Sequence, residues 1–304
     1  MDKIKIGIPR GLHYYYYNNI WKSFFENIGC EVIISPPTNR EIINNGIKYA
    51  NDEMCLALKI YLGHVAYLKD KCDYILVPRI DKYDLNNQTC TNFLALYDIV
   101  KNIFNRRILN YNIDYKTGED ELFGLVKCAK QLGISTIEAI SAYNKSLKVS
   151  ENIKNKDIII NSKRLENTNT KILIVSHPYI IYDQYFGVPI IKMLKNLNVD
   201  IIYSDKFDSK VTNKLASNIS KTLYWKFNRE ELGSIELVKN KIDGVIFISS
   251  FPCGPDSLAN ELAMRKINLP YLNIIIDDID SMTGIETRIE SFIDILDAKK
   301  QKCE

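Results

Sequence analysis

The sequence predicts an α/β protein of two doubly wound parallel-sheet (Rossmann/flavodoxin-like) domains joined by a helical connection. Three observations predict it. Short apolar runs alternate with longer segments of helical periodicity, this order occurs twice in 304 residues, and matching segments of the halves keep a nearly constant separation. Strands that alternate with helices form parallel pairs through crossovers, and such sheets are covered on both faces.

Lys3-Ile-Lys-Ile-Gly-Ile-Pro9 reads as a buried strand, Tyr14 to Asn27 as a helix with large apolar residues on one face, and Glu31 to Ser35 as the next strand. The second half repeats this with a strand from Lys171 to His177, an amphipathic helix from Tyr182 to Leu197 and a strand from Asp200 to Ser204. Third strands are expected at Asp73 to Pro78 and Asp243 to Ile248, and fourth strands at Arg107 to Tyr111 and Tyr271 to Ile276. Gly118 to about Ser162 reads as mostly helical, and the polar stretch Asn161 to Thr170 as a linker. The expected domains are therefore 1–160, with a helical extension, and 171–304. Matching order and spacing point to an internal duplication.

Composition narrows the function. Forty basic and 37 acidic residues leave a net charge of +3, with no Lys/Arg block or aromatic-basic stripe suited to nucleic acid. No run of about 18 apolar residues could cross a bilayer, and no leader pattern precedes the first strand, so a cytoplasmic protein is expected. In a reducing compartment, seven cysteines point to metal or redox chemistry rather than to a disulfide framework.

Three of the cysteines have distinctive surroundings: Cys55 in Asn-Asp-Glu-Met-Cys, Cys90 in Asn-Gln-Thr-Cys-Thr-Asn-Phe, and Cys253 in Phe-Pro-Cys-Gly-Pro-Asp-Ser. The working crevice of an open α/β sheet lies beyond the carboxyl ends of its strands. Cys90 and Cys253 follow the third strand of their halves, and Cys55 falls in the connection after a second strand. The expectation is one site in the cleft between the domains. Pro255 suits the first turn of a helix, placing Cys253 at a helix N-terminus where the peptide dipole favours thiolate. Three thiolates around an otherwise open site suit a 4Fe-4S cubane with one accessible iron. Cys30, Cys72, Cys128 and Cys303 read as simple thiols.

Other readings of these residues are weaker. Single cysteines are commonly small buried hydrophobes. Zinc with His64 as fourth ligand lacks the close Cys-x-x-Cys pairs of structural sites. A Cys253 nucleophile with His177 as base has no spacing that brings the two within reach. Arg10 and Arg79 follow prolines at strand ends, where a cation can face the cleft and bind an anionic substrate or the reduced cluster. They are candidate catalytic residues together with His64, for which packing with one hydrogen bond is the competing role. His13 and Tyr14 to Tyr17 read as cleft lining or core, Glu53 as a helix cap, and Asp256 and Ser257 as acceptors for backbone donors around Cys253. Asp277, Asp278 and Asp280 read as a helix entry rather than a divalent-cation site.

Across nearly the whole chain these motifs resemble the iron-sulfur component family of the 2-hydroxyacyl-CoA dehydratases, in particular its smaller acyl-CoA dehydratase activase-related members. The resemblance rests on Ile-Gly-Ile-Pro-Arg-Gly-Leu from Ile6, Glu53-Met-Cys55 with Lys59 and Gly63-His64-Val65, Val77-Pro78-Arg79, Tyr182-Asp183, Phe251 to Ser257, and Gly284-Ile-Glu-Thr-Arg288. It implies that Cys55, Cys90 and Cys253 ligate a 4Fe-4S cluster whose fourth iron takes an exogenous ligand or small molecule. It also implies an ATP-dependent activator or other low-potential electron donor as partner, a homo- or heterodimer, and electron delivery to a thioester carbonyl. The chain departs from the two-subunit enzymes: it is shorter, shows no CoA-binding signature and carries no P-loop of its own. Three motif cysteines favour one cubane over a double cluster. Two functions follow, either low-potential electron transfer or radical-type reduction or dehydration of a small acyl substrate, or a non-catalytic accessory protein serving an activase-type ATPase.

Overall fold

Lys5 and Asp73 tie the starts of two neighbouring strands together. The Lys5 amide donates to the Asp73 carboxylate at 2.8 Å, and the Asp73 amide donates to the Lys5 carbonyl at 2.9 Å. Lys171 and Asp243 repeat the clamp at 2.7 and 2.8 Å. The same clamp in both halves is what an internal duplication predicts. It sets Lys5, rather than Lys3, in register with Lys171.

The computed structural model describes residues 3–277 and 283–301. Asp278, Asp280 and Cys303 therefore lie outside the described residues. Two units divide between Ile153 and Lys154.

In the first unit, β1 (Lys5–Ile8), α1 (Tyr14–Asn27), β2 (Glu31–Ile34), α2 (Arg40–Tyr49), α3 (Leu56–Leu68), β3 (Tyr74–Ile80), α4 (Thr91–Phe104), β4 (Ile108–Ile113) and α5 (Glu121–Gln131) follow in order. The four strands are parallel in the order β2-β1-β3-β4, with Ile6 paired to Val32 on one side and Tyr74 on the other. The core gathers Ile6, Ile8, Trp21, Phe24, Phe25, Leu76, Tyr111 and Leu125. The long helix α6 (Thr136–Arg164) follows.

The second unit continues with β5 (Lys171–Val175), α7 (Pro178–Ile181), α8 (Gly187–Asn196), β6 (Asp200–Tyr203), α9 (Ser209–Leu215), α10 (Lys226–Val238), β7 (Gly244–Ser250), α11 (Gly254–Met264), β8 (Tyr271–Ile276) and α12 (Thr283–Gln301). Its parallel order is β6-β5-β7-β8, the same topology as the first sheet. Every residue of β7 is buried, as expected of a central strand covered on both faces. The predicted α/β class with two parallel doubly wound sheets is the observed one.

Three local expectations are corrected. The single helix expected from Tyr182 to Leu197 starts only at Gly187, as α8, and the short α7 ends before Tyr182, because Asp183 turns the chain between them: its carboxylate accepts the amides of Tyr185 at 2.8 Å and Phe186 at 3.2 Å. Asn161 is not linker but lies inside α6, almost fully buried. Its side chain accepts from Tyr203 N and donates to the carbonyls of Tyr203 and Lys206, pinning α6 to the end of β6. Finally, the segment Leu56 to Leu68, which the sequence predicts to be amphipathic, is α3 and is buried nearly all round.

The burial of α3 requires two glycines. A Cβ on Gly46 of α2 would stand 2.0 Å from the Lys59 carbonyl oxygen, and one on Gly63 of α3 would stand 2.0 Å from that of Ile42. The two helices cross in direct backbone contact. Gly63→Ala is expected to lower the urea unfolding free energy by about 1–3 kcal/mol, since the helices must separate to admit a methyl group. An unchanged midpoint would show that the crossing opens freely.

Candidate functional site

Each of the three motif cysteines occupies the N-cap of a helix in extended backbone geometry: Cys55 before α3, Cys90 before α4 and Cys253 before α11. None of the three thiols makes a side-chain capping bond to its own helix. All three cysteines thus sit at the positive ends of peptide dipoles, a placement that favours anionic sulfur. In the first unit, Asn92, in the first turn of α4, donates from Nδ2 to Cys55 Sγ at 3.8 Å. This contact brings the α3 and α4 N-termini, with Cys55 and Cys90, to the same carboxyl-end region of the first sheet.

The remaining described cysteines have other surroundings. The Cys72 thiol donates to the Leu68 carbonyl, packs against Gly7 and is pushed up to about 11, chiefly by burial. Burial likewise lifts Cys128 to about 12 and raises Cys30. Such thiols are poor ligands and nucleophiles.

Arg10 stands two residues beyond β1, where the strand order reverses. Its amide donates to Ser35 Oγ at 2.8 Å, its Nε donates to the Ser35 carbonyl at 3.0 Å, and the guanidinium lies over the Tyr14 ring at 5.4 Å. His64 is fully buried; its Nε2 lies 3.2 Å from Thr38 Oγ1 and its Nδ1 has no partner. Burial, aided by the charge of Arg10, holds His64 down at about 3, so the ring is neutral. Arg79 is half-exposed and ion-paired with Asp98 at 3.8 Å. His13, also fully buried and held down to about 3 by burial, packs tilted against Phe93, in the first turn of the Cys90 helix, with ring centroids 4.2 Å apart. Tyr17 bonds Tyr83 through the hydroxyls at 2.6 Å and stacks on Trp21, which makes it core.

Two expected roles are corrected. Glu53 does not cap α3: Cys55 is the N-cap, and the Glu53 amide itself donates to Asn51. Ser257 donates to the Cys253 carbonyl at 2.7 Å instead of accepting from a backbone donor. Asp256 turns inward and is buried.

That inward turn builds a cluster of charged groups in the second unit. His177 follows β5, Asp256 follows β7, and these strands are neighbours at the point where the second sheet's order reverses. His177 Nε2 lies 2.8 Å from Asp256 Oδ1, and His177 Nδ1 lies 3.0 Å from Glu231 Oε1 of α10. Asn228 donates to the same Asp256 oxygen at 2.8 Å, and the Cys253 thiol hydrogen-bonds the Asp256 carboxylate. All three charged residues are buried. Burial opposes the imidazolium, but the two carboxylates outweigh it and raise His177 well above its ordinary value. Burial also acts to raise Asp256, yet His177 and the donors around it bring it below its ordinary value. For Glu231, burial prevails and the net shift is upward.

The three residues can also be viewed as a His/Glu/Asp metal-ligand set, since one ligand atom from each lies within 4.8 Å of the others. Each carboxylate engages a different ring nitrogen, on opposite sides of the imidazole. One ion cannot use both contacts, so the geometry is that of an imidazolium clamped between two acids. Sequence reasoning missed Glu231 and Asn228. The available signal was a charged residue in the apolar phase of Phe227, Leu232, Ile235 and Val238.

Fold and site together define an α/β protein of two like units with thiol-bearing helix N-termini at the carboxyl ends of its strands. The chain belongs to the family described as the CoA enzyme activase uncharacterised domain (DUF2229), whose profile matches residues 5–207. That range includes Arg10, Cys55, His64, Arg79, Cys90 and His177, and ends before Glu231, Cys253 and Asp256. No curated protein matches the chain. Among solved structures, ZnuA is 10% identical over 98% of this chain and 99% of its own, with a TM-score of 0.29. A carbohydrate transporter from Acidothermus cellulolyticus 11B in complex with myo-inositol is 10% identical over 90% of this chain and 74% of its own, with a TM-score of 0.22. Among the described residues, no helix is long and apolar enough to cross a membrane.

Proposed function

We propose that this protein holds a 4Fe-4S cluster on Cys55, Cys90 and Cys253 and uses it in low-potential electron transfer, or in reduction or dehydration of a small, acyl-CoA-type substrate, as in the 2-hydroxyacyl-CoA dehydratases. The observation that carries this reading is the identical placement of three cysteines at helix N-caps, whereas Cys30, Cys72 and Cys128 are held as thiols by burial. The donor set fits the group: soft sulfur at positions that favour thiolate. When bound, a cubane with one iron not held by cysteine supplies a Lewis acid and a one-electron donor at one place. Around it, Asn92 orients the Cys55 sulfur, while the Cys253 thiol gives up the proton it shares with the Asp256 carboxylate in order to bind.

Membership in a family described as a CoA enzyme activase uncharacterised domain supports an ATP-dependent activator or another low-potential donor as partner, and a cytoplasmic setting suits thiols that must stay reduced. A second reading, an accessory electron carrier, draws support from Arg79, whose exposed pairing with Asp98 leaves fewer groups for substrate chemistry. The test is purification without oxygen. About four irons per chain, with visible absorbance, are expected from cubane stoichiometry. A colourless, iron-free preparation that cannot be reconstituted would overturn both readings, while electron transfer to a partner without turnover of acyl-CoA would select the second.

A further inference from the structure

The second unit holds a cavity of about 640 Å³ at the amino end of its sheet, opposite the end that carries His177 and Cys253. Its walls are the turn that closes α6, the first residue of β5, the chain after β6, and the end of α10 with the loop leading to β7. Leu165, Phe207, Val238 and Ile242 make an apolar floor: the last three are core residues of this unit, and Leu165 packs against that core. A cavity of this size suits a small molecule.

The charges on its rim are of two kinds. Lys171 Nζ donates to the Asn167 carbonyl at 2.8 Å, and the Asp243 carboxylate accepts the Lys171 amide at 2.7 Å and pairs with Lys300 at 3.1 Å, so these two are engaged. Lys241 and Glu166 also line the cavity, and among the described residues neither side chain has a hydrogen-bond or ion-pair partner. The first unit supplies a second observation. Counted back from the matched Asp73 and Asp243, Lys241 corresponds to Lys71, Leu237 to Tyr67 and Asn240 to Asp70. Lys71 lies over the Tyr67 ring at 4.8 Å, and Asp70 pairs with Arg106. The second unit has an aliphatic residue in place of the ring and an amide in place of the carboxylate, so Lys241 and Asn240 line the cavity without those partners.

A zwitterion with an apolar body answers all three features. It buries its body on the floor and matches one free cation and one free carboxylate. A simple carboxylic acid would bring a second negative charge to Glu166, an amine would bring a second positive charge to Lys241, and an inorganic anion would leave the floor in water. Glu166 extends from beyond α6 and Lys241 from beyond α10, so two flexible arms reach in from different walls, and the C-terminal dipole end of α6 favours an ammonium on the Glu166 side. We propose that this cavity binds an apolar α-amino acid, with its carboxylate on Lys241 and Asn240, its ammonium on Glu166 and its side chain on the floor. This site is separate from the reaction proposed above, because it stands at the amino ends of β5 and β7 and needs no metal.

The experiment is calorimetric titration of the full chain, iron-free and iron-loaded, with L-phenylalanine, and separately with 3-phenylpropanoate and phenethylamine, each of which keeps the ring and one of the two charges. Phenylalanine should bind at millimolar concentration or below, and each analogue about threefold more weakly, as loss of one exposed ion pair does. Lys241→Gln should weaken phenylalanine by a similar factor and leave phenethylamine unchanged. Glu166→Gln should weaken phenylalanine without weakening 3-phenylpropanoate. Both side chains are exposed, so the melting temperatures of these variants should stay near wild type. Lys195→Gln, on α8 of the same unit, should bind as wild type does. If phenylalanine gives no binding heat at millimolar concentration, or if Lys241→Gln and Glu166→Gln both bind it as wild type does, the site is wrong. An analogue that binds as tightly as phenylalanine would overturn the zwitterion. Phenylalanine bound by protein that never acquires iron would leave this site standing without the cluster, and iron-loaded protein that ignores phenylalanine would do the reverse.

Discussion

Cys90→Ala protein purified without oxygen is expected to lose most of the about four irons that a cubane brings to each chain, and Cys55→Ala and Cys253→Ala should do the same. Three protein thiolates are the fewest that hold a cubane with one open corner, so removal of any leaves an undersupported cluster open to solvent and oxidation. Cys303→Ala should keep its iron, because that cysteine stands outside the three motifs. The informative comparison is within the trio. Equal loss at all three ties both units to one cluster. Iron retained only in Cys253→Ala would confine the metal to the first unit, where Asn92 already links the neighbourhoods of Cys55 and Cys90. Equal retention in Cys90→Ala and Cys303→Ala would remove the ligand assignment altogether.

His177→Leu is expected to destabilise the protein by about 3–5 kcal/mol in urea unfolding, the usual cost of leaving buried charge without its partner. The substitution leaves Glu231 and Asp256 facing an apolar side chain. The pH dependence distinguishes this mechanism from simple loss of packing. His177 is raised in the fold, so its contribution is complete below its ordinary 6.5 and fades as pH rises through the folded value. Asp256 is lowered, so its contribution is present above 3.8 and fades as pH falls through the folded value. Glu231 is raised and follows the same direction as His177, its contribution being complete below 4.5. Wild type should therefore lose stability on the alkaline side. The His177→Leu variant should lose that alkaline slope and gain stability on acidification, as its uncompensated carboxylates take up protons. A pH profile parallel to wild type would show that the charges do not depend on the imidazole.

The strands were legible because central parallel strands are near-continuous apolar runs, and β1, β3, β5 and β7 read that way directly. The helix N-terminus at Cys253 was legible from Pro255, and that at Cys55 from the abrupt start of the apolar segment at Leu56. The break between α7 and α8 was not, since it depends on Asp183 choosing backbone amides two and three residues ahead over solvent. Nor was the charged cluster. Its members come from a strand end, a helix face and a helix start, and only the packed sheet shows that they meet. Asp256 illustrates the difficulty: beside Ser257 at a helix start it looks like a local capping residue, and it is tertiary contact with His177 and Asn228 that turns it inward.

The bare crossing at Gly46 and Gly63 has a consequence beyond stability. With carbonyl oxygens occupying the space of both absent side chains, α3 cannot slide or rotate along α2 without collision. The crossing thereby fixes where α2 stands against α3, and with it the Thr38 hydroxyl just ahead of α2, which meets the His64 ring at 3.2 Å.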